Sequence, residues 1–258
     1  MKTRKSLGQH FLKNKRILRK IVFAGDFRSG ETVIEIGSGS GSLTQELLKA
    51  RVKIIAVEKD ANLCYLLEQK FADQENFQLI CGDVLKFEPE KYVKANQYKI
   101  IGNIPYYLTG KILELVLEKW PRPEKIVLTV QKQVGEKLTA RPSKLSVLGT
   151  INQLLAEIKI LFSISRAEFF PKPKVDSCLI EITPYQKNLF RQHPELKQFI
   201  KLGFSQPRKY LISVLANKLG KDKDLIGQKF LQLGLEPTRR AGELTPETWL
   251  ELFKSLID

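Results

Sequence analysis

An alternation running from residue 32 to residue 130 restricts the fold of this chain more than any other feature. Short β-branched stretches at 32–36, 53–57, 77–80, 98–101 and 126–130 are separated by helix-like segments, clearest at 43–50, 61–71 and 111–119, the last closed by Trp120-Pro121. Parallel strands need a long crossover, usually a helix, so strands alternating with helices predict an α/β fold with a doubly wound parallel sheet. After a helical stretch near 146–155 the pattern changes. Strand-like segments at 158–164 and 175–182, parted by a loop with Pro171 and Pro173, suit an antiparallel pair that finishes the sheet. From Tyr185 onward the periodicity is helical, at 196–204, 210–219, 225–233 and 246–256. A boundary near Pro184-Tyr185-Gln186-Lys187 therefore predicts a larger domain, 1–185, followed by a small helical one, 186–258.

The first strand ends in Glu35-Ile36-Gly37-Ser38-Gly39-Ser40-Gly41, which opens a helix. Glycines let the backbone turn sharply and approach a ligand where a Cβ would clash. A dinucleotide fingerprint needs the spacing G-x-G-x-x-G. Here Ser42 stands at its third glycine position and Gly41 comes one residue early. An acidic residue followed by G-x-G-x-G looks instead like the first motif of S-adenosylmethionine-dependent methyltransferases, although at this point both cofactor classes remain open. Glu58, directly after the second strand, suits the hydroxyls of a ribose in either class. Asp83, after the third, stands where methyltransferases bind the adenine amine of the cofactor; by itself it reads better as a turn aspartate after glycine.

Asn103-Ile104-Pro105-Tyr106 at the end of the fourth strand carries the most specific chemistry. It matches the N-[IL]-P-[YF] motif of amino-group methyltransferases acting on adenine. The exocyclic nitrogen of adenine is a poor nucleophile because its lone pair is delocalised into the ring. An Asn103 side-chain oxygen and the Ile104 carbonyl can each accept one N–H and so localise that lone pair. Pro105 stiffens the turn, and Tyr106 offers a face on which an extruded base can stack.

With these residues in place the chain resembles the KsgA-type small-subunit ribosomal RNA adenine dimethyltransferases, relatives of the Erm enzymes that methylate large-subunit RNA. The likeness begins at Gly8-Gln9-His10-Phe11-Leu12 and continues through Val130-Gln131-Lys132-Gln133-Val134 and Lys144-Leu145-Ser146-Val147. Phe169-Phe170-Pro171-Lys172-Pro173-Lys174-Val175-Asp176-Ser177 is its longest match. Phe204-Ser205-Gln206-Pro207-Arg208-Lys209 and Arg239-Arg240-Ala241-Gly242-Glu243-Leu244 favour the small-subunit branch over Erm. The resemblance implies a Rossmann-like class I S-adenosylmethionine-dependent methyltransferase sheet, with the C-terminal helical domain docking on RNA. It implies that His10 and Leu12 line the methionine end of S-adenosylmethionine, that Gly37 lies under it, and that Glu58 and Asp83 hold its ribose and adenine. Asn103 touches both cofactor and target amine. Phe169 is expected to oppose Tyr106 across the base, with Phe170 as the alternative ring. The implied reaction is N6,N6-dimethylation of two adjacent adenosines in the 3′-terminal hairpin of 16S RNA, in a 30S particle or precursor, with a part in 30S biogenesis. A binding protein built on the same scaffold is the rival from another class, and the intact Asn103 and Tyr106 argue against it.

Charge agrees with a nucleic-acid substrate. Lys+Arg 43 against Asp+Glu 28 gives a net charge of +15, which attracts polyanions at long range. No apolar run reaches the roughly 20 residues that span a bilayer. Three cysteines, Cys64, Cys81 and Cys178, are too few for a disulfide framework or a thiolate cage. A cytoplasmic monomer with no metal and no membrane contact is expected.

Overall fold

The computed structural model describes residues 9–257; Gly8, which opens the first matching motif, lies outside them. Five parallel strands form where the β-branched runs lie: β2 (Thr32–Ile36), β3 (Lys53–Glu58), β4 (Phe77–Cys81), β5 (Tyr98–Asn103) and β6 (Lys125–Gln131). Helices α2 (Ser42–Lys49), α3 (Ala61–Lys70) and α4 (Thr109–Glu114) make the crossovers, and α4 runs on into a π-helical turn, Leu115–Lys119, that stops before Trp120-Pro121. Strands β7 (Ala156–Ile164) and β9 (Ser177–Pro184) complete a seven-stranded sheet in the order β4-β3-β2-β5-β6-β9-β7, with β9 antiparallel to β6. The central strands are covered on both faces and mostly apolar: Val33, Ile34, Ile100, Ile101 and Ile126 are fully buried, with Glu35 and Thr129 buried among them.

Strand order reverses between β2 and β5. Ile36 lies opposite Gly102 in their register, so the glycine turn after β2 and the Asn-Ile-Pro-Tyr loop after β5 leave the sheet side by side. In a doubly wound sheet, ligands sit at this crevice beyond the carboxyl ends of the strands.

Two elements frame the crevice from the N-terminal side. Helix α1 (Lys15–Ala24) is capped by the Asn14 side chain, which accepts from the Arg16 and Ile17 amides at 2.9 and 3.4 Å, and buries Leu18 and Ile21. Ahead of it, β1 (Phe11–Leu12) pairs antiparallel with β8 (Phe169–Phe170), placing Phe11 opposite Phe170 and Leu12 opposite Phe169. Successive strand residues face opposite ways; Leu12 and Phe169 enter the core with Leu18 and Leu179, while Phe170 is exposed.

By its internal contacts the chain forms two compact units, residues 1–135 with 157–186, and residues 136–156 with 187–258. The second unit thus takes in α6 (Val147–Gln153), which the sequence reading had left in the larger domain. Local bonds explain the difference. Ser143 and Leu145 amides donate to the Gly242 carbonyl at 2.8 and 3.3 Å, and α6 packs on α8 (Leu196–Gly203) and α11 (Pro246–Ile257). Helices α7 (Leu189–Gln192), α9 (Leu211–Leu219) and α10 (Lys223–Gln232) complete this unit, and α5 (Lys132–Leu138) follows β6 in the chain.

Cysteine usage also differs from expectation. Cys64 and Cys81, 17 residues apart, are joined in a disulfide, because the β3–α3–β4 crossover brings their Cα atoms to 5.9 Å. Cys178 is buried in β9. Among the described residues, no helix is long and apolar enough to cross a membrane.

Candidate active site

A cleft open to solvent lies over the carboxyl ends of β2, β3 and β5. His10, Leu12, Gly37, Glu58, Asp83, Asn103, Ile104, Pro105 and Tyr106 all line it, so one wall system gathers nearly every residue expected there. Phe169 is the departure. At 4% exposure its ring belongs to the core and does not form part of the lining, and Phe170 is 52% exposed with the Lys13 ammonium 4.1 Å from its ring centroid. In the ribbon Phe169 pairs with Leu12, and its ring packs into the core cluster with Leu18 and Leu179.

Asn103 is oriented by a group that leaves no ambiguity about its amide. Its Nδ2 donates to the His10 carbonyl at 2.8 Å. A carbonyl can only accept, so the nitrogen must face His10 and Oδ1 is the end left for an incoming donor. Pro105, at φ −58°, starts a 3-10 turn, Tyr106–Leu108, closed by the Leu108 amide on the Pro105 carbonyl at 3.0 Å. The Tyr106 hydroxyl bonds Ser177 Oγ at 2.6 Å. Ser177 is fully buried on β9 and ends the nine-residue phenylalanine-proline motif, so two distant motifs meet in one bond. Burial raises the Tyr106 pKa above its ordinary value, which keeps the phenol protonated.

Glu58 has a second task that the sequence did not reveal. Its Oε2 accepts from the Gly39 amide at 2.8 Å, and its Oε1 accepts from the Lys59 and Asp60 amides at 2.8 and 2.9 Å. A carboxylate has about four acceptor positions, so Glu58 pins the glycine turn with three of them and leaves one, on Oε2, beside the cleft it lines. Asp83 accepts from Lys59 Nζ at 2.8 Å and from the Leu85 amide at 3.0 Å. The Lys59 hydrogen bond holds the Asp83 carboxyl below its ordinary pKa, so it faces the cleft as an anion.

The turn suits the cofactor expected in it. Gly37 has φ +73°, and a Cβ on it would stand 3.7 Å from the Asn103 carbonyl oxygen, in the gap between turn and loop. Gly39 is needed for a different reason: its Cβ would fall 2.9 Å from the Phe11 ring. Beneath the turn, Glu35 is fully buried; Thr44 Oγ1 donates to its Oε2 at 2.6 Å, while Glu35 Oε1 and Ser38 Oγ are buried without a partner. Desolvation pushes the Glu35 carboxyl up to about 7.

In the second unit the Leu211 amide donates to the Arg239 carbonyl at 2.8 Å, which draws Arg208 and Lys209 toward Arg239 and Arg240. All four are exposed.

Known proteins resemble this chain in sequence and in fold. The family model described as ribosomal RNA adenine dimethylase matches residues 1–258. Ribosomal RNA small subunit methyltransferase A of Dehalococcoides mccartyi is 38% identical over 256 residues, covering 98% of this chain and 88% of the relative. Among solved structures, a dimethyladenosine transferase from Plasmodium falciparum superposes with a TM-score of 0.80 at 24% identity, over 95% of this chain and 96% of that one. The 23S rRNA methyltransferase ErmE superposes with a TM-score of 0.76 at 25% identity, over 96% and 100%. A full-length family match, and a relative this similar over almost the whole chain, agree with the crevice just described: the chain belongs to the ribosomal RNA adenine dimethylase family.

Proposed function

We propose that this protein dimethylates N6 of two adjacent adenosines in the 3′-terminal hairpin of 16S RNA, acting as a cytoplasmic monomer on a 30S particle or its precursor. The orientation of Asn103 carries the reading: its amide oxygen is turned to the cleft beside the glycine turn because its nitrogen is engaged by His10. S-adenosylmethionine, the methyl donor of the family, supplies an electrophilic methyl group when bound. Gly37, Glu58 and Asp83 would hold it, with His10 and Leu12 at its methionine end.

The chain's own residues then account for the nucleophile. Asn103 Oδ1 and the Ile104 carbonyl accept the two N–H bonds of the target amine and localise its lone pair. Tyr106 supports the ring by stacking and stays a neutral phenol, so it orients the base and takes no proton. The methylated amine is a cation and releases its proton to water, which makes a dedicated base unnecessary. Exposed Arg208, Lys209, Arg239 and Arg240 suit phosphates, which position an RNA without reading its sequence.

Methylation of large-subunit RNA is the second reading, since the ErmE structure superposes over nearly the whole chain. The higher identity to small-subunit methyltransferases favours the first. Incubation with labelled S-adenosylmethionine and undermodified 30S subunits, followed by mapping of modified nucleotides, should locate two adjacent dimethyladenosines. Label on naked large-subunit RNA alone would overturn the assignment.

A further inference from the structure

One residue touches both parts of the base-capturing machinery. The His10 carbonyl accepts from Asn103 Nδ2 at 2.8 Å, and the His10 ring stacks on Tyr106 with centroids 5.7 Å apart and planes 26° from parallel. The ring is itself anchored: its Nδ1 lies 2.7 Å from the Pro171 carbonyl, which can only accept, so Nδ1 carries the hydrogen. A purine held between two rings needs them about 7 Å apart, twice the ~3.5 Å contact of stacked carbon atoms. At 5.7 Å the two rings leave no room for one.

We propose that the His10 imidazole is a placeholder for the target base: it occupies the stacking face of Tyr106 until an adenine displaces it. The inference rests on Tyr106 being the base platform. It gives His10 a role toward the RNA beside the one toward the cofactor. The arrangement keeps an aromatic face covered between turnovers and sets a threshold that an extruded base must meet. Because the Asn103 anchor is the His10 backbone carbonyl, the imidazole can leave while the Asn103 amide keeps its orientation. Displacement costs the ring stack and the Pro171 hydrogen bond, so a weakly stacking nucleobase gains less from entering than a purine does.

The test compares two RNA hairpins without cofactor, one carrying the adenosine at which methylation maps and one with an abasic site there. The ratio of their Kd values reports how much seating the base contributes. His10→Ala removes the competing ring and keeps the carbonyl, so the ratio should rise about two- to tenfold, the worth of an aromatic pair. His10→Phe keeps a ring over Tyr106 and should hold the ratio near the wild-type value. A ratio in His10→Ala that stays level or falls, or one in His10→Phe that matches His10→Ala, overturns the placeholder role. Tyr106→Ala separates this from failure of the underlying reading. It should bring the ratio to about one if Tyr106 is the platform; an unaltered ratio there removes the platform itself.

Discussion

Single side chains divide here into those whose chemistry is written in their type and those whose role comes only from a distant neighbour. The places of Asn103, Glu58 and Asp83 on the cleft were legible because each stands at the carboxyl end of a strand, where the crevice of such a sheet opens. Ser177 and Phe169 were not, because their partners lie about 71 and 157 residues away and pairing geometry decides their facing. Asn103→Ala removes the acceptor Oδ1 and leaves the backbone of its loop; turnover should fall by about 10²–10³-fold, the usual cost of one preorganised hydrogen bond at a reacting group. Single-turnover rates and cofactor titration together check this, with cofactor affinity expected to change little. Glu35 offers a second test. Its carboxyl is raised from 4.5 to about 7, so between those values the folded chain binds more protons than the unfolded one. Stability attributable to this group is therefore greatest below about pH 4.5, declines as pH rises toward 7, and is level above that. Glu35→Gln cannot titrate. Urea unfolding at pH 5 and pH 8 should show the variant gaining about 2–3 kcal/mol on wild type across that interval. An unchanging difference would mean that Glu35 is already ionised when folded.

Elements long enough to show a period were readable, and the shortest ones were not. All five parallel strands fall within a few residues of the runs expected for them; the four inner ones are mostly buried, which demands near-continuous apolar sequence, while β4 lies half-exposed at the sheet edge. Helix α1 escaped notice because Leu18 and Ile21 are its only buried residues, set among Lys15, Arg16, Arg19 and Lys20. Strands β1 and β8, two residues each, have no period at all; they exist because each pairs with the other. That ribbon depends on the glycine turn. Gly39 holds φ +57° under the Phe11 ring, and a methyl group there would meet it at 2.9 Å. Gly39→Ala should cost about 1–2 kcal/mol through the positive φ and displace β1 from the turn. Amide hydrogen exchange should quicken at Phe11 and Leu12 while β5 and β6 stay protected; equal acceleration throughout would show a global loss of stability with no link between turn and ribbon.

At the scale of the molecule, the two-unit division was only half legible: the break near residue 186 is marked by Pro184 and a change of period, whereas nothing in 136–156 announces that it belongs with the C-terminal helices. Non-contiguous packing is a tertiary fact. Net charge, in contrast, needs no fold to be read. The excess of 15 positive charges is spread over both units, on α1 in the first and on the Arg208–Lys209 and Arg239–Arg240 loops in the second. Each phosphate neutralised releases condensed counterions, and the salt dependence counts them. Engagement of about five phosphates predicts that the Kd for the RNA hairpin rises on the order of a hundredfold between 50 and 200 mM salt. Cofactor binding supplies the control, because the site proposed for it is built from backbone turns, one pinned carboxylate and Asp83, and would exchange few counterions. Titrating both ligands over the same salt series should give a steep line for RNA and a nearly level one for S-adenosylmethionine. Equal slopes would place the RNA affinity in the cleft alone and leave the basic surfaces without a part in docking.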